Sequence, residues 1–169
     1  MASIIKVDTI QTAAGGTPTA ADLGLNTSGT VLQVVQHTDD TEYSVNSSSY
    51  AQGPQTGNIT LSSASNKVLV TIKCVMQASR GSTIVGGRAT IYRGSVASGT
   101  RVHSGTEPQY YAQDAGTEVY HFVQLQYLDS PNSTSVSYSL GFNRHPSSGI
   151  ARIKGNFHTT TIIVQEIAG

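Results

Sequence analysis

Apolar and polar positions alternate along most of this chain. In "NKVLVTIKCVMQA" (66–78), Val68, Val70, Ile72, Cys74 and Met76 share one side at period two. A helical reading fails, because Thr71 and Lys73 interrupt any apolar stripe. "STSVSYSLGF" (133–142) turns Val136, Tyr138, Leu140 and Phe142 to one side and serines and Gly141 to the other. "EVYHFVQLQYLD" (118–129) puts Val119, His121, Val123, Leu125 and Tyr127 on one side. Its other side carries Tyr120, Phe122, Gln124 and Gln126, so both sides hold large groups. That pattern predicts a strand covered on two faces, one of them by a neighbouring subunit.

Shorter runs complete the set. "GTVLQVVQHT", "TEYSV", "NITL", "GGRATIYRG", "SGTRVHSG", "GIARIKGNF" and "HTTTIIVQEIAG" read as strands, with Gly, Pro, Asn and Ser between them. Residues 46–57, 103–117 and 143–149 read as loops and are the candidate contact loops. No run longer than ten residues reads as a helix, and no fixed-period repeat is visible. The expected fold is all-β, a jelly-roll-type sandwich at 29–169. It follows an extended arm at 1–28, where "IIKVDTIQTAAGGTPTAADLGL" offers little to bury.

Composition sharpens this picture. Only 12% of residues are charged, and ten acidic side chains balance ten basic ones. Such a surface has no field to attract nucleic acid or an acidic membrane, and it resists self-association poorly. Cys74 is the single cysteine, which excludes an intrachain disulfide and a cysteine-based zinc site. Neither a secretory leader nor a membrane span is expected. The N-x-S/T matches at Asn26, Asn46, Asn58 and Asn132 are chance in so Ser/Thr-rich a chain.

Candidate chemistry is sparse. His37 with Asp39 and Asp40 is the best local cluster, and a solvated turn explains it better than a cation site. No nucleophile elbow and no phosphate-binding loop is present. Glu107 and Glu118 flank a loop, but nothing in their spacing makes them a glycosidase pair. No cofactor, metal ligand or catalytic residue is assigned. Six arginines against four lysines favour interface use, because the planar guanidinium binds carboxylates and carbonyls at low ordering cost. Tyr110, Tyr111, Gln113 and Asp114 form a candidate binding loop for protein or glycan, since paired tyrosines on loops commonly support binding. Tyr120, Phe122 and Arg88 are the candidate subunit interface.

The two ends carry a resemblance. "IIKVDTIQTAAGGTPTAADLGL" resembles the opening of virion structural proteins from tailed phages of marine cyanobacteria and other marine bacteria, and "TTTIIVQEIAG" resembles their last strand. The resemblance implies a homotrimeric, tumour-necrosis-factor-like head, fixed to the virion by its arm and exposed on the particle exterior. The arm's apolar residues Ile4, Ile5, Val7, Ile10, Leu23 and Leu25 would then dock on another virion protein of tail or capsid by adding a strand to a sheet edge. The expected role is a non-enzymatic tail fibre or tail-associated knob in host attachment, with host glycan or protein as the receptor. A capsid decoration or head fibre is the alternative, and a glycan-active virion enzyme a remote one. No shaft of heptads or spiral repeats separates arm from head.

Overall fold

A computed structural model describes residues 9–18, 22–24, 27–79, 85–103, 118–145, 149–155 and 158–169, together with the backbone of 110–112. Its regular elements are strands, and no helix occurs among the described residues. In chain order these are β1 (Val31–Asp39), β2 (Tyr43–Val45), β3 (Ala51–Gln55), β4 (Ile59–Thr60) and β5 (Lys67–Ser79). Then come β6 (Val85–Arg93), β7 (Thr100–Arg101), β8 (Tyr110–Ala112) and β9 (Val119–Asp129). β10 (Ser135–Val136), β11 (Tyr138–Arg144), β12 (Ile150–Ile153) and β13 (Thr160–Ile167) complete the chain.

The strands form two sheets packed face to face. Sheet A is built on β5, with β9 along one edge. Along the other edge lie β13 and then β12, end to end, backed by β1 and β2. Sheet B runs β3-β11-β6, with β7 and β8 both pairing the far edge of β6. A small β4–β10 ladder lies apart. Every pairing is antiparallel, and the chain passes between sheets so that sequence neighbours rarely lie side by side. That order is a jelly roll, as the alternation predicts.

The core lies between the sheets and follows strand parity. Val68, Val70, Ile72, Cys74 and Met76 are all buried, with Ile162 and Val164 of β13 beside them. Leu140 and Phe142 of β11 meet them from sheet B with Ala89 and Ile91 of β6. Burying each large side chain contributes about 1.5–3 kcal/mol. Burial pushes the Cys74 thiol up to about 12, so it behaves as a small hydrophobe.

Three expected loops are partly strand. β3 lies within 46–57, β8 within 103–117, and Asn143 and Arg144 finish β11. Gly53 and Pro54 argued against a strand at 51–55. Pairing with β11 makes one, and a Cβ on Gly53 would sit 2.8 Å from the Leu140 carbonyl oxygen. His121 was expected in a covered row and is exposed near the start of β9.

Candidate functional site

Register separates two ends of the sandwich. Val31 pairs Ile167, Ile167 pairs Lys67, and Val68 pairs Asp129, so these residues mark one end of sheet A. Ala78 with Val119 and Ser79 with Ile150 mark the other. Arg93 and Tyr138 bind across the core to Asp129, at 3.1 Å from Arg93 Nη1 and 2.8 Å from the Tyr138 hydroxyl. That pins the Arg93 end of sheet B over the Asp129 end of sheet A. Burial, together with the hydrogen bond to the carboxylate, raises the Tyr138 phenol well above its usual range.

The chain enters the sandwich at this end. Gly29 N–H donates to Ala168 O at 2.8 Å, and Ala168 N–H donates to Thr30 O at 2.9 Å. Behind this root lies Glu166, 2% exposed and in the inward row with Ile162 and Val164. Its carboxylate accepts from Asn66 Nδ2 (2.6 Å), Gln33 Nε2 (2.6 Å), and the Ser62 N–H and Oγ (both 2.7 Å). Burial alone would push the carboxyl up. The hydrogen bonds from Asn66, Ser62 and Gln33 outweigh it and leave the pKa below the ordinary value. Four neutral donors thus tie β1, the 62–66 turn and β13 to one buried charge.

The opposite end gathers the three segments expected to make contacts. Arg144 N–H donates to Ser47 O at 3.0 Å, and the Asn143 amide donates to Ser48 O at 2.7 Å. His145 N–H reaches Gly86 O at 3.0 Å, and Gly86 and Gly87 pair with Tyr111 and Tyr110. Segments from 46–57, 103–117 and 143–149 therefore meet around one pair of glycines. Arg88 Nη2 lies 3.2 Å from His145 Nε2. A shallow depression of about 290 Å³ opens nearby between Ser44, Val45, Asn46 and Ile150. On sheet A this end carries a polar rung. Glu42 binds Arg152 (3.5 Å) and Lys154, Arg152 donates to Ser79 Oγ (2.7 Å), and Gln77 donates to the Tyr120 hydroxyl (3.0 Å).

Of the expected interface residues, Tyr120 and Phe122 share the outer face of sheet A and are exposed. Arg88 lies on the outer face of sheet B, half-buried beside His145, so the structure does not join it to the other two. Ile10 and Leu23 are exposed. Ile4, Ile5, Val7, Leu25, Gln113, Asp114 and Glu107 lie outside the described residues. Tyr110 and Tyr111 are described by backbone alone, as part of β8.

His37 and Asp39 do not assemble a cation site. Asp39 instead accepts from Thr41 N–H (2.7 Å) and the Tyr43 hydroxyl (2.9 Å), closing a turn. Among the described residues no group of three His, Cys, Asp or Glu side chains is placed to hold a metal. Glu118 is exposed and accepts from the Tyr120 hydroxyl at 3.2 Å. Guanidinium, imidazole, hydroxyl and amide groups at the far end suit reversible contact. Sequence reading missed the Glu166 cluster, although alternation in "TTTIIVQEIAG" already puts Glu166 in the inward row.

The fold so defined is an all-β jelly-roll sandwich with an N-terminal lead-in. No family model matches the chain, and no curated protein matches it. Among solved structures it is similar to the VP2 subviral particle of infectious bursal disease virus, at 17% identity and a TM-score of 0.36. That overlap covers 80% of this chain and 38% of the other. It is also similar to the Gx strain of that virus, at 18% identity and a TM-score of 0.33, over 80% of this chain and 37% of the other. The chain thus spans well under half the length of these neighbours. Superpositions of this quality give no residue of the chain a role.

Proposed function

We propose that this protein is a non-enzymatic structural component of a phage particle. It is a short homotrimeric appendage, joined to the virion by residues 1–28 and presenting the far end of its 29–169 sandwich to the host surface. One observation carries the reading: the chain enters at the Glu166 root, and the three candidate contact segments meet at the opposite end. An adapter needs that polarity, with attachment and contact on separate poles. Adhesion would then come from several weak contacts multiplied by copy number. The resemblance of the chain's ends to marine phage virion proteins supplies the particle and puts the tail first.

A capsid decoration is the second reading, favoured by the lack of heptads or spiral repeats in the sequence of residues 1–28. Deleting residues 1–27 tests the attachment. The expected result is a folded sandwich that no longer joins particles, whereas normal incorporation overturns the reading. Loss of adsorption with intact capsids selects the tail knob. Capsid fragility with normal adsorption selects decoration.

A further inference from the structure

We infer that the outer face of sheet A, centred on β9 and β5, is where a second copy of the chain packs. The assignment deepens the self-assembly proposed above and rests on it, while naming a face and dropping Arg88.

Outside the lead-in, every large hydrophobic side chain exposed among the described residues belongs to sheet A: Val31, Val34, Tyr120, Phe122, Tyr127 and Leu128. Register arranges five of them. Phe122 pairs Val75, Leu128 pairs Leu69, and Tyr120 pairs Gln77, while Val31 and Val34 lie three strands from β9, opposite Ile167 and Gln165. Phe122 is 61% exposed and Val34 59%, far beyond what a covered strand shows. Leu69, Val75 and Ile163 continue the surface between them, half-buried.

The occupant follows from charge and from size. The outward side chains of β9 are Tyr120, Phe122, Gln124, Gln126 and Leu128, none of them charged. On the outward side of β5 the charges are Lys67 and Lys73, and on β12 Arg152 is already held by Glu42. Two lysines make no track for a polyanion, and the carboxylates at the rim are already engaged, Glu118 by the Tyr120 hydroxyl and Glu42 by Arg152 and Lys154. The polar groups are instead amides and hydroxyls, with Gln126 donating to Thr71 Oγ1 at 3.1 Å. Amides both donate and accept, so the face is complementary to another like itself. Aromatic enrichment with charge depletion is the composition of an interface core. β9 is 11 residues long and the sheet about four strands wide, which gives a plan area of roughly 700 Å², close to the ~800 Å² per partner of a standard interface.

Light scattering on the full chain tests both levels. Wild type should run at a multiple of 17.7 kDa, and Phe122→Glu at 17.7 kDa with an unchanged β-type circular dichroism spectrum. Gln52→Glu, on sheet B, should keep the wild-type mass. A Phe122→Glu protein at wild-type mass overturns the face while leaving self-assembly intact, whereas a wild type at 17.7 kDa overturns self-assembly itself. Should Phe122→Glu fail to fold, a maleimide–benzophenone probe on Gln124→Cys decides the matter. Photo-cross-links to sheet A of a second copy support the assignment. Links to residues 1–27, or none between copies, overturn it.

Discussion

The outer faces of the two sheets are finished differently. Sheet B covers itself. Tyr92 lies over Gly141 so closely that a Cβ there would sit 2.6 Å from its ring. Tyr50 meets Tyr92 edge-on with centroids 6.1 Å apart, and Arg101 lies 5.7 Å from the Tyr50 ring centre. The 94–99 turn is fastened over the same strands, with Val96 N–H donating to Gln52 Oε1 (2.7 Å) and Gly94 O accepting from Ser139 Oγ (2.7 Å). As a result β11 is buried on both sides along nearly its whole length. Over β9 of sheet A no described residue gives such cover, and Tyr120, Phe122 and Leu128 face outward exposed. Among the described residues, one face is covered by the chain's own side chains and the other keeps its large apolar groups exposed.

Substitutions can break or sharpen this contrast. The largest effect falls on the self-covered face: Gly141→Val drives two methyls into Tyr92 and costs about 3 kcal/mol in urea unfolding. Tyr92→Ala strips the cover from β11 and costs about 2 kcal/mol by the same measurement. Sheet A should instead depend on what lies behind it. Glu166→Gln costs about 1.5 kcal/mol at neutral pH, since charge-assisted hydrogen bonds are exchanged for neutral ones. The hydrogen bonds hold the Glu166 carboxyl below its ordinary pKa, so its stabilisation is complete above that ordinary value and is lost as pH falls through the lower, folded one. An acid titration of stability should therefore lose part of its slope in Glu166→Gln. The smallest effect belongs to the bare face. Phe122→Ala, measured under dilute conditions where copies are apart, should change stability by about 0.5 kcal/mol or less. A loss as large as that of Tyr92→Ala would mean that Phe122 is packed within its own subunit, and the contrast would fail.

Most of the fold was legible because alternation reports parity directly. The rows of β5 and β11 went where their patterns put them, as did Val123 and Leu125 of β9. What parity cannot tell is which sheet a strand joins or what covers its outward row. Phe122 and Arg88 are both candidate interface residues by sequence, yet they lie on opposite sheets, and of the two only Arg88 is half-buried. β3 was missed because "AQGPQ" has no strand pattern of its own and exists through pairing with β11. β8 was missed for the related reason that its three residues are defined by Val85, Gly86 and Gly87 across the ladder. The Glu166 cluster brings together positions more than a hundred residues apart, which local spacing does not reveal.

The way Glu166 is held has a consequence for the media in which the protein can work. Its partners are amides, a hydroxyl and a backbone N–H, with no cation among them. Dissolved ions weaken attractions between opposite charges, and here there is no such attraction to weaken. The anchorage of Glu166 behind the lead-in should hold equally well in dilute buffer and in concentrated brine, and weaken as the medium turns acid.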